Sequence, residues 1–151
     1  MDLEKYTFDS IADAERTAEK TVTEFVIVYN RWAKECHNMV VADREKLNEL
    51  TQKNSIARQT LQEIYKKYCT SKNRQYHRNG TGYYFYGGTY MAGTAIESCT
   101  ELSKNEVMVQ TEKVKNFSPV KRYLVVKKGQ IWKIDGVESL NGNKVWEFDI
   151  L

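Results

Sequence analysis

Hydrophobic and polar residues alternate most clearly near the C-terminal end of the chain. Trp146, Phe148 and Ile150 are separated by acidic residues, and a period of two is typical of a β-strand with one buried face. A similar pattern precedes it at residues 120–127 and around Trp132. Together these segments predict three antiparallel strands that end the chain.

The register of the last two strands follows from parity, because a slip by one residue turns every side chain to the other face. A three-residue loop of Leu140, Asn141 and Gly142, with Gly142 in the left-handed region, keeps the apolar residues of both strands together. The opposite pairs that it predicts are Ile134 with Phe148, Trp132 with Ile150, Glu138 with Lys144, and Lys133 with Asp149.

The same parity test favours an even-length loop near residues 127–129 between the first two strands. It pairs Val125 with Trp132, Tyr123 with Ile134, and Arg122 with Asp135. One face of the sheet then carries only apolar residues, which another part of the chain must cover. The predicted apolar face consists of Tyr123, Val125, Trp132, Ile134, Phe148 and Ile150.

The opposite, outer face of this predicted sheet mixes apolar and charged residues. It holds more apolar groups than a fully solvated face requires, so we expect something to cover part of it. A second copy of the chain, a protein partner and the N-terminal segment 3–8 are equal alternatives. The residues on this face are Leu124, Val126, Ile131, Val137, Val145, Arg122, Lys133, Asp135, Glu147 and Asp149.

The first half of the chain has helical periodicity. Apolar residues recur every three or four positions from Ile11 to Cys36, which predicts an amphipathic helix of about seven turns. Ser10 and Asp13 resemble a variant capping box at its start. A second apolar pattern runs from Leu47 to Tyr68, and the polar run at residues 51–55 predicts a break or two shorter helices.

Glycines and aromatic residues between positions 80 and 93 end the helical pattern, and strands are predicted near 94–102, 105–114 and 120–127. Helices followed by a meander of strands predict an α+β fold, with N-terminal helices packed on one face of a strongly curved antiparallel sheet. The 151 residues are 41% hydrophobic, enough to bury the core of one domain that spans residues 1–151.

Charge and cysteine content limit the function classes. A net charge of +3 from 23 basic and 20 acidic residues is too small to indicate nucleic-acid binding. The N-terminus lacks the apolar run of a signal peptide or membrane span, so we expect a cytoplasmic protein with no membrane partner. Three cysteines without CxxC spacing indicate reduced, buried thiols, and two distant histidines favour neither a metal nor a cofactor.

Two surface segments are candidates for partner binding. A basic cluster at residues 66–78, which includes Arg74, is most simply a solvated helix end whose lysines suit the negative pole of the helix dipole, although it could contact a partner of opposite charge. The glycine-rich segment after it matches no nucleotide-binding pattern and is interpreted as a rim loop or hairpin. Its tyrosines offer large contact area with few rotors, and ordinary strand packing is the alternative. These candidates are Tyr83, Tyr84, Tyr86 and Tyr90.

A catalytic site in such a domain would need an acid or base on the buried face of the sheet. The predicted register instead places Asp135 and Lys133 on the outer face, where we expect them to affect partner binding more than folding. A buried Asp135 beside the helices would contradict that register and favour an enzyme. The side chains expected to line any internal cavity are Tyr29, Trp32, Tyr65 and Trp132.

The order of elements and two local signatures resemble a known family. Helices in front and the closing strand pair YLVVKKGQIWKID and KVWEFDIL look like the cone-shaped nuclear transport factor 2-like fold. The helix end IYKKYCTSKNR, the tyrosines after it and the Trp-x-Ile-Asp strand resemble the immunity proteins of this fold that accompany bacterial polymorphic toxins. The resemblance covers about 85 C-terminal residues and the helical order of the front half.

This resemblance implies a non-enzymatic protein that binds a cognate toxin and blocks it by occlusion, in competition between bacteria. Homodimerisation through the sheet is also common in folds of this kind. The alternative is a small-ligand-binding domain, or an isomerase-like or dehydratase-like enzyme, that uses the internal cavity.

Overall fold

The computed structural model describes residues 12–72, 95–112 and 120–148. In these residues, helical elements come first and strands follow. The helical elements are a 3₁₀ turn (Asp13–Glu15), α1 (Ala18–Ala42), α2 (Lys46–Thr51) and α3 (Ile56–Tyr68). The strands are β1 (Ile96–Ser103), β2 (Glu106–Thr111), β3 (Lys121–Lys128), β4 (Ile131–Leu140) and β5 (Trp146–Phe148).

Helix α1 spans 25 residues, which is about the predicted seven turns, but it begins and ends later than the predicted pattern from Ile11 to Cys36. Thr17 caps it, because its hydroxyl accepts a hydrogen bond from the backbone N–H of Lys20 at 3.2 Å. Asp13 lies in the separate 3₁₀ turn, and Ser10 lies outside the described residues. The helix therefore starts at a Thr cap rather than at the predicted Ser10 and Asp13.

The predicted interruption at residues 51–55 is confirmed, since α2 ends at Thr51 and α3 begins at Ile56. Ser55 marks the break. Its hydroxyl donates to the carbonyl of Leu50 at 2.8 Å and accepts from the N–H of Arg58 at 3.2 Å. One side chain thus satisfies backbone groups of both helices.

The five strands form one antiparallel sheet in chain order, β1-β2-β3-β4-β5, and the sheet is not closed. The predicted α+β architecture is confirmed, as are strands close to 94–102, 105–114 and 120–127. The core lies between α1, α3 and the sheet. Its fully buried side chains include Val22, Phe25, Trp32, Ile64, Tyr123, Val125 and Ile134.

A β-bulge interrupts β4 at Asp135. Leu124 pairs with Gly136 and Val125 pairs with Ile134, so β4 holds one extra residue between these pairs. The extra residue exchanges the two faces of the strand, and as a result both Ile134 and Val137 are buried. The predicted outward position of Val137 is therefore wrong.

The predicted register between β4 and β5 is also wrong. Phe148 pairs with Glu138, four residues further along β4 than Ile134. The connecting loop is residues 141–145, in which the Asn141 side-chain oxygen accepts from two backbone N–H groups, each at 2.9 Å. Lys144, with φ of 61°, takes the left-handed conformation that was predicted for Gly142.

The edge of β4 near Ile134 is occupied by the chain that leaves α3. Cys69 forms a parallel bridge with Ile134, and the N–H of Thr70 donates to the Ile134 carbonyl at 2.9 Å. The predicted register would have placed Phe148 at this position. The new pairing also places Phe148 on the outer face, where it is 94% exposed.

The β3–β4 hairpin has the predicted even-length loop, but one residue later in the chain, so Val125 pairs with Ile134 and the predicted pairs of Val125 with Trp132 and Tyr123 with Ile134 are wrong. Lys128 pairs with Ile131 across the turn of Gly129 and Gln130, and Gly129 has a φ of 62°. Tight hairpins of this kind need a residue with positive φ, which glycine adopts without strain. Arg122 consequently faces Glu138 instead of Asp135.

Candidate functional site

A cluster of charged side chains lies where the segment before α1, the end of α3 and strand β4 meet. Arg16 is at its centre and is only 2% exposed. A buried guanidinium is costly unless charges and hydrogen bonds compensate it. The surrounding side chains supply both.

The Arg16 guanidinium makes contacts in several directions. Its Nη1 lies 2.7 Å from the Asp13 carboxylate, and its Nε donates to the Thr21 hydroxyl at 3.2 Å. Glu24 is 3.7 Å from Nη1, and the guanidinium carbon lies 4.9 Å from the centre of the Tyr68 ring. These contacts join the chain before α1 to α1 itself and to α3.

Asp13 is shared between two cations. Lys67 Nζ lies 3.1 Å from the same carboxylate oxygen that Arg16 contacts. Burial alone would raise the pKa of Asp13, but hydrogen bonds and attraction from Arg16 and Lys67 outweigh it and lower the pKa below its ordinary value of 3.8. Asp13 is therefore ionised at neutral pH.

Tyr68 contributes a neutral donor to this cluster. Its hydroxyl donates to Glu24 at 3.4 Å, and burial, followed by the nearby Glu24 charge, raises the pKa of the phenol. Its ring also lies beneath the cations of Arg16 and Lys67.

Lys133, a predicted partner-binding residue, contacts the end of α3. Its ammonium group donates to the carbonyl of Lys66 at 2.9 Å and to that of Lys67. Helix carbonyls at this end lack partners within the helix and attract cations. Burial, together with repulsion from Arg16 and Lys67, lowers the pKa of Lys133. These contacts give Lys133 a structural role, and its predicted partner binding stays a prediction.

Asp135, the second such residue, sits at the bulge and contacts the chain that follows α3. The Thr70 hydroxyl donates to it at 2.7 Å, and Lys72 Nζ lies 3.2 Å away. The predicted register placed Asp135 on the outer face, away from the helices, so its position beside the end of α3 shows again that this register is wrong. It faces a hydroxyl and an ammonium group, however, and not the apolar pocket that an isomerase-like acid would need.

The four residues predicted to line a cavity lie in or against the hydrophobic core. The rings of Tyr29 and Trp32 are 5.5 Å apart, and Phe25 lies 5.9 Å from Tyr29 and 6.3 Å from Tyr65. Trp32 is fully buried and its indole N–H donates to the Ala57 carbonyl at 3.0 Å. Tyr65 and Trp132 are partly buried against the same core.

An open groove of about 420 Å³ lies along the second half of α1. Side chains of a single helix line it. These residues are Arg31, Lys34, Glu35, Asn38, Met39 and Ala42.

The outer face of the sheet presents aromatic residues between β3 and β5. The Arg122 guanidinium lies 4.2 Å from the centre of the Trp146 ring and forms an ion pair with Glu138. Phe148 pairs with Glu138 on the neighbouring strand and is almost fully exposed. Exposed aromatic residues next to an arginine are typical of protein-binding surfaces.

Five of the predicted partner-binding residues fall outside the described part of the chain. Arg74 and the four tyrosines Tyr83, Tyr84, Tyr86 and Tyr90 lie outside the described residues. Within residues 12–72, 95–112 and 120–148, no group of three His, Cys, Asp or Glu side chains could hold a metal ion. In the same part of the chain, no helix is long and apolar enough to cross a membrane.

Sequence reasoning missed the cluster around Arg16. Arg16 and Lys67 are far apart in the chain, and no periodic pattern connects their positions. Thr17 was the one local indication in the sequence that α1 begins after Arg16, because Ser or Thr directly before an apolar periodic segment predicts a helix start. A start at Thr17 would have left Arg16 outside the helix.

Helices in front of an open, five-stranded antiparallel sheet define an α+β domain of the nuclear transport factor 2-like class. The model of the family described as NTF2 fold immunity protein matches residues 17–147, and the chain belongs to this family. No curated protein and no solved structure matches the chain.

Proposed function

We propose that this protein is an immunity protein that binds one cognate bacterial toxin and neutralises it by occluding its active surface. The family match over residues 17–147 carries this proposal. The charged groups around Arg16 are paired with one another and join the turn before α1 to α3, which supports a structural role for them. The protein would then act by binding, in the cytoplasm of the cell that it protects, without catalysis of its own.

The proposal places the gene in a polymorphic toxin system, in which an immunity gene follows a large modular toxin gene. The test uses the C-terminal domain encoded by the gene immediately upstream. Cells that express this domain should die, and cells that co-express the immunity protein should survive. Failure to protect would contradict the proposal.

A direct binding assay must accompany the survival assay, because protection alone does not separate binding from reduced toxin expression. Purified immunity protein should form a stable complex with the toxin domain in size-exclusion chromatography. A toxin domain from an unrelated system serves as the control and should not bind. A defined small molecule that raises the melting temperature would instead support the cavity-based alternative.

The outer face of the sheet extends the proposal to a homodimer. Phe148 is almost fully exposed, and Trp146 lies beside it on the same strand face under Arg122. An exposed apolar sheet face can pair with the same face of a second copy about a two-fold axis. Phe148→Ser should convert a dimer to a monomer in analytical ultracentrifugation without loss of stability. A wild-type monomer at high concentration would refute the homodimer.

The tyrosine segment remains part of the proposal as a toxin contact. A combined change of Tyr83, Tyr84, Tyr86 and Tyr90 to serine should weaken toxin binding and leave the melting temperature unchanged. An equal loss of binding and stability would favour ordinary strand packing. Arg74→Ala tests the neighbouring basic segment in the same assay.

A further inference from the structure

Charge is unevenly distributed over the sheet. The β1–β2 hairpin, from Ile96 to Glu112, contains four acidic residues and one lysine, Lys104. The following β3–β4 hairpin, from Lys121 to Leu140, contains five basic and two acidic residues. A chain with a net charge of +3 therefore carries an acidic edge at one end of its sheet.

Strand β1 is the terminal strand of the described sheet, and seven of its eight residues are exposed. The exposed residues include two on the face of β1 that points toward the helices. Glu101 pairs with the buried Val107, and Cys99 pairs with the buried Val109, yet both are exposed. The strand thus lies at the margin of the helical layer, and residues on both of its faces are exposed to solvent.

Helix α1 adds a further acid to this edge. The Glu19 carboxylate lies 3.8 Å from the Cys99 sulfur, next to Glu101 on the same face of β1. Burial, followed by the Glu19 charge, raises the pKa of the Cys99 thiol. Acidic side chains from a strand and from a helix therefore lie on the same side of the edge.

Two bulges shape β1, one between Ile96 and Ser98 and one between Glu101 and Ser103. A bulged, charged edge resists the addition of another strand through its backbone, so a partner must contact side chains. The second bulge leaves Leu102 out of the ladder, and Leu102 is 53% exposed. A bulge can re-aim a side chain in this way and so provide an apolar anchor.

We propose that the β1 edge, with Glu19 and Glu101 on its helix-facing side, Glu97 and Glu106 on the opposite side and Leu102 at the second bulge, docks a lysine- and arginine-rich surface of the toxin that contacts the edge from both sides. This inference rests on the proposed function. The acids supply attraction over a distance and Leu102 supplies close contact. Complementary charge mainly raises the association rate, and salt screens the effect.

The test measures association of the upstream-encoded toxin domain by stopped-flow fluorescence at several salt concentrations. Glu101→Lys/Glu106→Lys should lower the association rate constant about tenfold at low salt and flatten its salt dependence. Leu102→Ala should mainly raise the dissociation rate, because truncation of a buried anchor shortens the life of a complex.

The matched control reverses two exposed acids in the helical layer, Glu45→Lys/Glu63→Lys, which change net charge equally. The control should bind within about twofold of wild type, since charges beyond a Debye length are screened. Melting curves must show that both double variants fold.

The outcomes separate this inference from the proposed function. Equal association rates and salt slopes for the edge variant and the control would overturn the acidic edge, while toxin binding by wild type would stand. Tight binding to a toxin domain with an acidic surface would overturn it as well. Absence of any complex with wild-type protein would overturn the proposed function, and this inference with it.

Discussion

Replacement of Arg16 by methionine removes the guanidinium and keeps most of the apolar stem. The side chain is buried and contacts Asp13, Thr21 and Tyr68, with Glu24 at 3.7 Å. Methionine can fill the space, but it can neither pair with the carboxylates nor donate to the Thr21 hydroxyl. We expect the free energy of unfolding to fall.

The size of this decrease depends on the partners that Asp13 and Glu24 keep after Arg16 is replaced. Loss of one partner from a buried ion pair typically costs about 3–5 kcal/mol. Asp13 keeps Lys67 at 3.1 Å and its side chain is 39% exposed, while Glu24 is 19% exposed and keeps the Tyr68 hydroxyl at 3.4 Å, so neither carboxylate is left without a partner. We therefore expect the free energy of unfolding to fall by about 2–3 kcal/mol. The lost contact with the Tyr68 ring accounts for about 0.5–2 kcal/mol of this decrease.

Urea unfolding, followed by circular dichroism, measures this change. Arg31→Met is the matched control, because Arg31 is exposed on α1 and should change stability by less than about 0.5 kcal/mol. A double-mutant cycle with Asp13→Asn should give a coupling energy of about 1–2 kcal/mol. An Arg16→Met variant as stable as the control, or a cycle without coupling, would refute the reasoning.

Three further predictions concern single side chains. Lys133→Met should lower the free energy of unfolding by about 1–2 kcal/mol in the same urea assay, because two α3 carbonyls lose a charged donor, whereas the exposed Lys128→Met should not. The pKa of Asp13 is lower in the folded state than in the unfolded state. Its contribution to the free energy of unfolding is therefore complete well above pH 3.8 and is lost as the pH falls through the folded-state pKa. Melting curves of Asp13→Asn should therefore depend less on pH below about 4 than those of wild type, and an unchanged dependence would contradict the assignment. In a thiol-labelling assay, Cys99 should react before Cys36, because Cys99 is exposed, whereas Cys36 is buried and its pKa is raised to about 12. Equal labelling rates for the two thiols would contradict this prediction.

Local patterns in the sequence predicted the elements well, because they depend on neighbouring residues. The polar run at residues 51–55 marked the break between α2 and α3, and the glycine at position 129 marked a tight hairpin. The prediction for Cys99 was wrong: it was expected to be buried but is exposed, because β1 is the terminal strand of the described sheet and most of its residues are exposed.

Registers and charge clusters could not be predicted, because they depend on contacts between distant residues. Parity assumes an uninterrupted strand, and the extra residue Asp135 breaks that assumption; the only local sign is Gly136 directly after it, since a glycine inside a strand pattern can mark a bulge. The β4 edge at Ile134 is taken by Thr70, which lies far away in the chain. The pairing of Lys67 with Asp13 is equally long-range.

The bulge at Asp135 has an evolutionary consequence. Before it, Ile134 belongs to the core; after it, Glu138 lies on the outer face, opposite Arg122 and Phe148. The outer face is therefore encoded by positions that do not fill the core. Selection by a changing partner can replace those residues while the packing of the domain stays constant, so relatives with one shared interior can diverge in what they recognise.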